Sequence, residues 1–193
     1  TKSAELALRF FNEYTHTVID VGSLEAAEMC KLLDNTFRDT IFAYSNQMAS
    51  LSEKVGLNLP DLIDKVNLGY FRNSIPKPSP GVGGPCLSKD PYLLEHSFRS
   101  FGLHANLTMA SREVNEGTLK NIFIRTSKLL ENVGKNIKES KIFILGFAFK
   151  GDPETSDLRD STTIEFLKIL TKNRVNNIYG YDKKISDLEL ESE

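Results

Sequence analysis

Residues Leu24 to Lys54 read LEAAEMCKLLDNTFRDTIFAYSNQMASLSEK, with apolar side chains at 26, 29, 30, 33, 37, 41, 44, 48 and 51. That spacing is close to the helical repeat and predicts one long helix. Ser23 is a good N-cap, and Glu25 and Glu28 fall in the first turns, where carboxylates suit the positive helix end. Gly56 supplies the stop. Upstream, residues 3–13 read as a helix and Thr17–Val21 as a short strand or extended link, with Gly22 and Ser23 breaking the pattern. Downstream, Leu59–Val66 gives a shorter helix. A loop over 67–90 then concentrates Pro76, Pro78, Pro80 and the glycines at 81, 83 and 84, and Pro91–Phe101 returns to helix and stops at Gly102. Leu107–Val133 is a second long helix, closed by Gly134.

After Gly134 the period changes. Lys141–Phe147 is a buried-strand run, Ser161 caps a helix reaching Lys172, and Val175–Tyr181 is a second strand. Strand, helix, strand at that spacing starts a parallel α/β domain near residue 138, which is expected to be cut off after one unit. The acidic tail from Ser186 to Glu193 is expected to fray. The expected fold is therefore mainly α, with two long helices followed by the start of a Rossmann-like α/β domain.

The 193 residues suffice for one large or two small domains, and 40% hydrophobic content is ample for a core. With 24 basic and 26 acidic residues the formal charge is -2. No global field attracts nucleic acid or an anionic membrane, so neither partner is expected. No apolar run approaches the roughly eighteen residues of a membrane span, and no signal-peptide pattern is present. Two cysteines are too few for a disulfide framework, and Cys30, inside the apolar helical pattern, is expected to pack as a small hydrophobe. A reducing, cytoplasmic setting fits. His16, His96 and His104 show no metal-ligand spacing, so no metal is expected. Tyr92 and Phe98 are expected in the core.

The other cysteine sits in Pro80–Pro91, PGVGGPCLSKDP. Gly81, Gly83 and Gly84 permit close backbone approach and the positive φ that anion-binding loops often need. A thiol there is within reach of a substrate. Lys89 favours the thiolate electrostatically, and Asp90, four residues after Cys86, can hold a water or relay a proton once an acyl group sits on sulfur. The same residues also fit a surface turn with a buried structural cysteine. On the long helix, Lys31 and Asn35 share a face, with Arg38 and Asn46 near the same stripe. A solvated helix face is the plain alternative. No G-x-G-x-x-G dinucleotide fingerprint occurs in residues 1–193.

Three ordered motifs carry a resemblance. Pro80–Pro91 resembles the P-G-x-G-G-x-C-x-x-x-D loop of the nucleotide-sugar dehydrogenases, the family of UDP-glucose and UDP-N-acetylhexosamine dehydrogenases. Ala27–Asp39 resembles the A-E-x-x-K-x-x-x-N-x-x-R opening of that family's central helix. Ile144–Lys150 followed by Ser156–Ser161 resembles its L-G-x-x-F-K and D-x-R-x-S pair. The resemblance implies a three-part division: 1–22 as a remnant of an N-terminal NAD-binding domain, 23–136 as a helical central dimerisation domain, and 137–193 as a truncated UDP-binding α/β domain. It further implies oxidation of a UDP-sugar C6 alcohol to a carboxylate, with two hydride transfers to NAD through a Cys-bound thiohemiacetal and thioester.

In that scheme Cys86 is the nucleophile, Lys31, Asn35 and Asp90 assist it, and Gly81, Gly83, Gly84 and Lys150 hold the substrate. Lys89 and Arg159 lie on the cofactor side. Apart from the resemblance, Lys150 and Arg159 can equally form ordinary ion pairs with Asp152, Asp157 or Asp160. A homodimer through the long central helix is implied as well. Pro85 stands where glucose-type enzymes commonly have Ser and acetamido-type enzymes commonly have His. Lys89-Asp90 resembles the glucose type, whereas Gly81–Gly84 and Asp90–Leu94 resemble the acetamido type. The expected substrate is a UDP-N-acetylhexosamine, with UDP-glucose or a non-catalytic dimerisation module as alternatives.

Overall fold

A computed structural model of the chain describes residues 1–69, 71, 72 and 74–186; the tail after Ser186 lies outside the described residues. The chain divides into two compact units, Thr1–Asp34 and Asn35–Glu193. Six helices and two strands occur among the described residues: α1 (Lys2–Asn12), α2 (Leu24–Lys54), α3 (Leu59–Asn67), α4 (Asp90–Ser100), α5 (Asn106–Glu131), β1 (Ile142–Leu145), α6 (Thr162–Lys172) and β2 (Ile178–Tyr181). The fold is mainly α, as its periodicities require.

In the first unit, α1 buries no side chain. Near its end the Phe10 ring instead meets Phe11 and, just beyond the helix, Tyr14, with ring centroids 5.3 and 5.1 Å apart. Residues 17–21 form no strand, contrary to one of the two expectations for them. A lone extended segment with no neighbour to take its N–H and C=O groups is a link. Ser23 caps α2, its Oγ accepting from the Ala26 N–H at 3.1 Å.

In the second unit the apolar core is small. Ile137, Leu170 and Val175 are buried, with Phe123, Leu130, Phe166, Leu167 and the inward residues of both strands packed around them. The strands pair in parallel, Ile142 opposite Ile178 and Leu145 opposite Tyr181. Ile142, Ile144 and Ile178 pack on the core, while Phe143, Leu145, Tyr179 and Tyr181 face outward as the period of two demands.

Both strands are shorter than the apolar runs suggested. Gly146 takes φ +89° and leads β1 away from the sheet. At the other end Arg174 takes φ +61°, so Val175 folds back, its N–H donating to the Leu170 carbonyl at 3.0 Å, and is used as core instead of strand. Ser161 caps α6 as expected, accepting from the Thr163 N–H at 3.2 Å.

Helix α2 holds the main departure. Its length is as predicted, but the residues it buries are Asn35, Thr36, Asp39, Ala43, Ser45, Asn46 and Ser52. The apolar stripe of Phe37, Tyr44 and Leu51 points to solvent. Cys30, expected to pack, is exposed too. The polar face of α2 meets α5, which buries Ser111, Arg112, Asn115 and Leu119. Contacts advance together along the two helices, from Asp39–Arg112 to Asn46–Asn115 to Glu53–Arg125, so α2 and α5 run in the same direction.

Candidate functional site

The loop that carries Cys86 is bound to structure on several sides. At its start, the Asn67 side chain donates to the Ile75 carbonyl (2.8 Å) and accepts from the Ile75 N–H (2.9 Å). Next, the Ser79 N–H donates to Asn46 Oδ1 on α2 at 2.8 Å. Gly81, at φ +86°, lies so close to α5 that a Cβ would be 3.1 Å from the Asn115 carbonyl oxygen. Gly83 and Gly84 then meet the turn before α6. A Cβ on Gly83 would stand 2.3 Å from the Asp160 carbonyl oxygen, and one on Gly84 would stand 2.7 Å from the Phe149 ring. The Gly84 N–H donates to the Asp160 carbonyl at 2.9 Å, and Ser88 Oγ reaches Asp160 Oδ2 at 3.1 Å. The close approach foreseen for these glycines is at least in part an approach of protein to protein.

Cys86 stands exposed at the end of this glycine segment. Its carbonyl accepts from the N–H groups of Lys89 (3.2 Å) and Asp90 (2.9 Å), which turns the chain into α4. Asp90, the first residue of α4, is fully buried, and its Oδ2 accepts a 2.6 Å hydrogen bond from Asn35 Nδ2 on α2. Two of the expected assisting residues, 55 positions apart, are therefore bonded side chain to side chain next to the thiol loop. Lys31 is exposed and belongs to the first unit. Lys89 is exposed at the N-cap of α4.

Arg159 forms a forked pair with Asp157, Nε to Oδ1 at 3.0 Å and Nη2 to Oδ2 at 2.6 Å. That pairing holds the Asp157 carboxyl down at about 2 and raises Arg159, with the negative charge of a Cys86 thiolate among the smaller contributions to the arginine. Arg159 therefore lies within electrostatic range of the sulfur. Gly81, Gly83 and Lys150 line one cleft of about 850 Å³, together with Arg38, Ser79 and Lys183. Lys150 Nζ also sits 5.6 Å from the Phe149 ring centre. Arg159 lies outside that cleft, in a separate hollow with Pro85 and Asp160.

The centre that the sequence did not single out is a buried polar cluster behind the loop. Arg112 Nη1 donates to Asp39 Oδ1 at 2.8 Å and to the Leu87 carbonyl at 3.3 Å, and Nη2 to Glu116 at 3.1 Å. Asn115 Nδ2 donates to both the Asp39 carbonyl (3.0 Å) and Oδ1 (2.8 Å). Burial pushes the Asp39 carboxyl up, and the opposing pull of Arg112 and Asn115 is the smaller effect. Tyr92, expected in the core, is instead exposed and donates its hydroxyl to Glu116 at 2.6 Å. The signal was present in α5, where Arg112 and Asn115 lie one turn apart on a helix face. Charged residues on a helix ordinarily mean solvent, and their partner Asp39 is 73 residues from Arg112 and 76 from Asn115.

Residues 25–117 match the UDP-glucose/GDP-mannose dehydrogenase family, central domain. Across 94% of the chain, the sequence is 35% identical to a UDP-N-acetyl-D-mannosamine dehydrogenase of Pyrococcus horikoshii. This chain belongs to the UDP-glucose/GDP-mannose dehydrogenase family. An NDP-N-acetyl-D-galactosaminuronic acid dehydrogenase of Ralstonia nicotianae is 29% identical over 97% of the chain. Among solved structures, a UDP-D-ManNAc dehydrogenase of Pyrococcus horikoshii superposes with a TM-score of 0.83 at 33% identity, covering 96% of this chain and 43% of the other. The chain spans 42% of the length of each of these two curated relatives. The nucleotide-sugar dehydrogenase resemblance read from the three motifs is therefore correct at the level of the family.

Proposed function

We propose that this chain supplies the nucleophile and the dimer-forming helices of an NAD-dependent UDP-sugar 6-dehydrogenase acting on a UDP-N-acetylhexosamine. The observation that carries the proposal is the 2.6 Å Asn35–Asp90 bond beside the exposed Cys86, an amide and a carboxylate brought from distant parts of the chain to one reactive-type side chain. The acetamido preference rests on the named activities of the two curated relatives. UDP-glucose remains the alternative substrate. The division into 1–22, 23–136 and 137–193 accompanies this assignment, as does a cytoplasmic location. Among the described residues, no helix is long and apolar enough to cross a membrane.

NAD, when bound, supplies the hydride acceptor for both oxidations. Lys89 and Arg159, exposed cations near the thiol, suit its phosphates, while no dinucleotide fingerprint lies within residues 1–193 to hold the remainder. The UDP moiety is assigned to the cleft lined by Gly81, Gly83 and Lys150. At the C6 aldehyde, Cys86 Sγ forms the new C–S bond while the carbonyl oxygen takes up a proton, giving a thiohemiacetal. Loss of hydride from that carbon and of the hydroxyl proton leaves a thioester. Water adds to the acyl carbon, one of its protons passing toward Asp90, and the C–S bond breaks with the other proton returning to sulfur, releasing carboxylate and the Cys86 thiol. Asn35 fixes the Asp90 carboxylate in one orientation, and Lys31 is assigned to the alkoxide as a fixed cation.

The stripe of Phe37, Tyr44 and Leu51, 65%, 53% and 57% exposed, repeats every seven residues along α2. Apolar side chains at that spacing form a seam suited to a second copy of the same helix, which supports the homodimer.

The test is to assay the full protein with UDP-ManNAc, UDP-GlcNAc and UDP-glucose side by side. Carboxylate and two equivalents of NADH per sugar are expected for an acetamido substrate. Cys86→Ala and Cys86→Ser should release no carboxylate, and mass spectrometry should find a sugar ester on the serine variant. Carboxylate formed by Cys86→Ala at near-parent rates would sink the covalent route. Residues 1–193 alone should give no NADH.

A further inference from the structure

We propose that the buried Asp39–Arg112 pair, extended by Asn115 and Asn46, is a positioning device that fixes both ends of the 79–87 loop and so sets the place of the Cys86 sulfur. The proposal rests on Cys86 being the reacting thiol, but it is carried by contacts that do not depend on any substrate. From the C-terminal end of the loop, the Leu87 carbonyl is held by Arg112 Nη1, and the same nitrogen is held by Asp39 Oδ1. Asp39 is bonded twice by Asn115 Nδ2. The Asn115 Oδ1 accepts from Asn46 Nδ2 at 3.0 Å, and the Asn46 Oδ1 accepts the Ser79 N–H at the N-terminal end of the loop. One continuous chain of hydrogen bonds thus runs from Leu87 to Ser79 through the interior. Between those ends, Gly81 lies against the Asn115 carbonyl, so the middle of the loop follows the same helix.

Stability alone does not account for this cluster. Asp39 has no solvent exposure and Arg112 has 3%. Asp39 Oδ2 and Arg112 Nε have no hydrogen-bond partner among the described residues. A buried ion pair with unmet polar atoms is generally matched or exceeded in stability by apolar side chains of similar volume. What an apolar pair lacks is direction. A guanidinium holds its N–H groups in a rigid plane, so Arg112, once oriented by Asp39 and by Glu116, presents an N–H to the carbonyl of the residue after Cys86. Asp39 and Arg112 are accordingly positioning residues, acting on the thiol through the backbone.

The deciding experiment uses the double variant Asp39→Leu/Arg112→Met, which removes both buried charges together and leaves only the half-exposed Glu116 without its arginine. Hydrogen exchange over residues 79–90 reports the loop. Alkylation of Cys86 by iodoacetamide, measured by peptide mass spectrometry with exposed Cys30 as internal standard, reports the sulfur. The double variant should melt at or above the parent temperature, while exchange over 79–90 rises about fivefold or more, the order expected for losing one anchoring hydrogen bond. The Cys86 to Cys30 alkylation ratio should change with it. If the double variant does not fold, Arg112→Lys carries the same test. It keeps a cation for Asp39 but loses the fork, so exchange should rise over 86–90 with Ser79 still protected. Folded variants that retain parent exchange over 79–90 and the parent alkylation ratio would overturn the proposal, whatever their melting temperature. Failure to make carboxylate from any UDP-sugar would count against the proposed activity and leave these two readouts intact.

Discussion

Gly83 admits no side chain, because the Asp160 carbonyl oxygen occupies the place a Cβ would take, 2.3 Å away. The obstacle is backbone, held by the Gly84 N–H and facing the Ser161 cap of α6, so it cannot swing aside as a side-chain tip would. Gly83→Ala is therefore expected to destabilise the chain by about 1 to 3 kcal/mol, the usual cost of overpacking. Gly117 provides the contrast. It lies within α5 with nothing inside 4 Å of the place an added methyl would take, so Gly117→Ala should stabilise by about 1 kcal/mol through helix propensity alone. Thermal melts of the two variants, moving in opposite directions from the parent, are the check. A parent-like melt for Gly83→Ala would mean that the loop does not rest on the Asp160 turn.

At the scale of elements, the junction between α4 and α5 depends on Glu95. Its carboxylate accepts from Arg99 Nε (2.7 Å), from the buried N–H of Ala105 at the start of α5 (2.7 Å) and, more distantly, lies 3.5 Å from His104 Nδ1. The bond from Arg99, followed by that from the Ala105 N–H, holds Glu95 down at about 2, against an ordinary value of 4.5. A folded-state value below the unfolded one means stability that is fully present above about 4.5 and lost as the pH falls toward about 2. Glu95→Gln should therefore melt below the parent at pH 7, and the gap between the two should shrink steadily from pH 5 to pH 2.5. Circular dichroism melts across that range test it, and a gap independent of pH would show that the carboxylate charge is not what joins the helices. Helix α2 shows the limit of periodicity at the same scale. Its bounds were legible from Ser23, the apolar repeat and Gly56, but a repeat of 3.6 marks two faces and does not say which is inside. Here the interior took the polar one.

At the scale of the whole molecule, the exposed seam of Phe37, Tyr44 and Leu51 predicts self-association. Sedimentation at rising concentration should reveal a dimer, and Tyr44→Glu at the centre of the seam should weaken it by about 2 kcal/mol or more, roughly thirtyfold in Kd. The melting of the monomer should be little changed, since Tyr44 is exposed there. A chain that stays monomeric at high concentration would remove the seam from consideration as an interface.

Local chemistry in the sequence was enough to determine the helices, the Ser23 and Ser161 caps, the βαβ order and the glycine loop around Cys86. Capping residues, glycine stops and apolar spacing act over a few residues, and each leaves its signature within reach of the next. The same signals placed Val175 in a strand and Tyr92 in the core, and both assignments failed: the Val175 N–H turns back to the Leu170 carbonyl at the end of α6, and the Tyr92 hydroxyl finds Glu116 on another helix. Only the tertiary structure joined Asn35 to Asp90 and Asp39 to Arg112, across 55 and 73 residues. Burial of a charged or amide side chain is favourable only when its hydrogen-bonding partners are buried with it. Neither member of such a pair carries a mark of the other in its own neighbourhood, so the interior of this protein became readable only once the helices were in place.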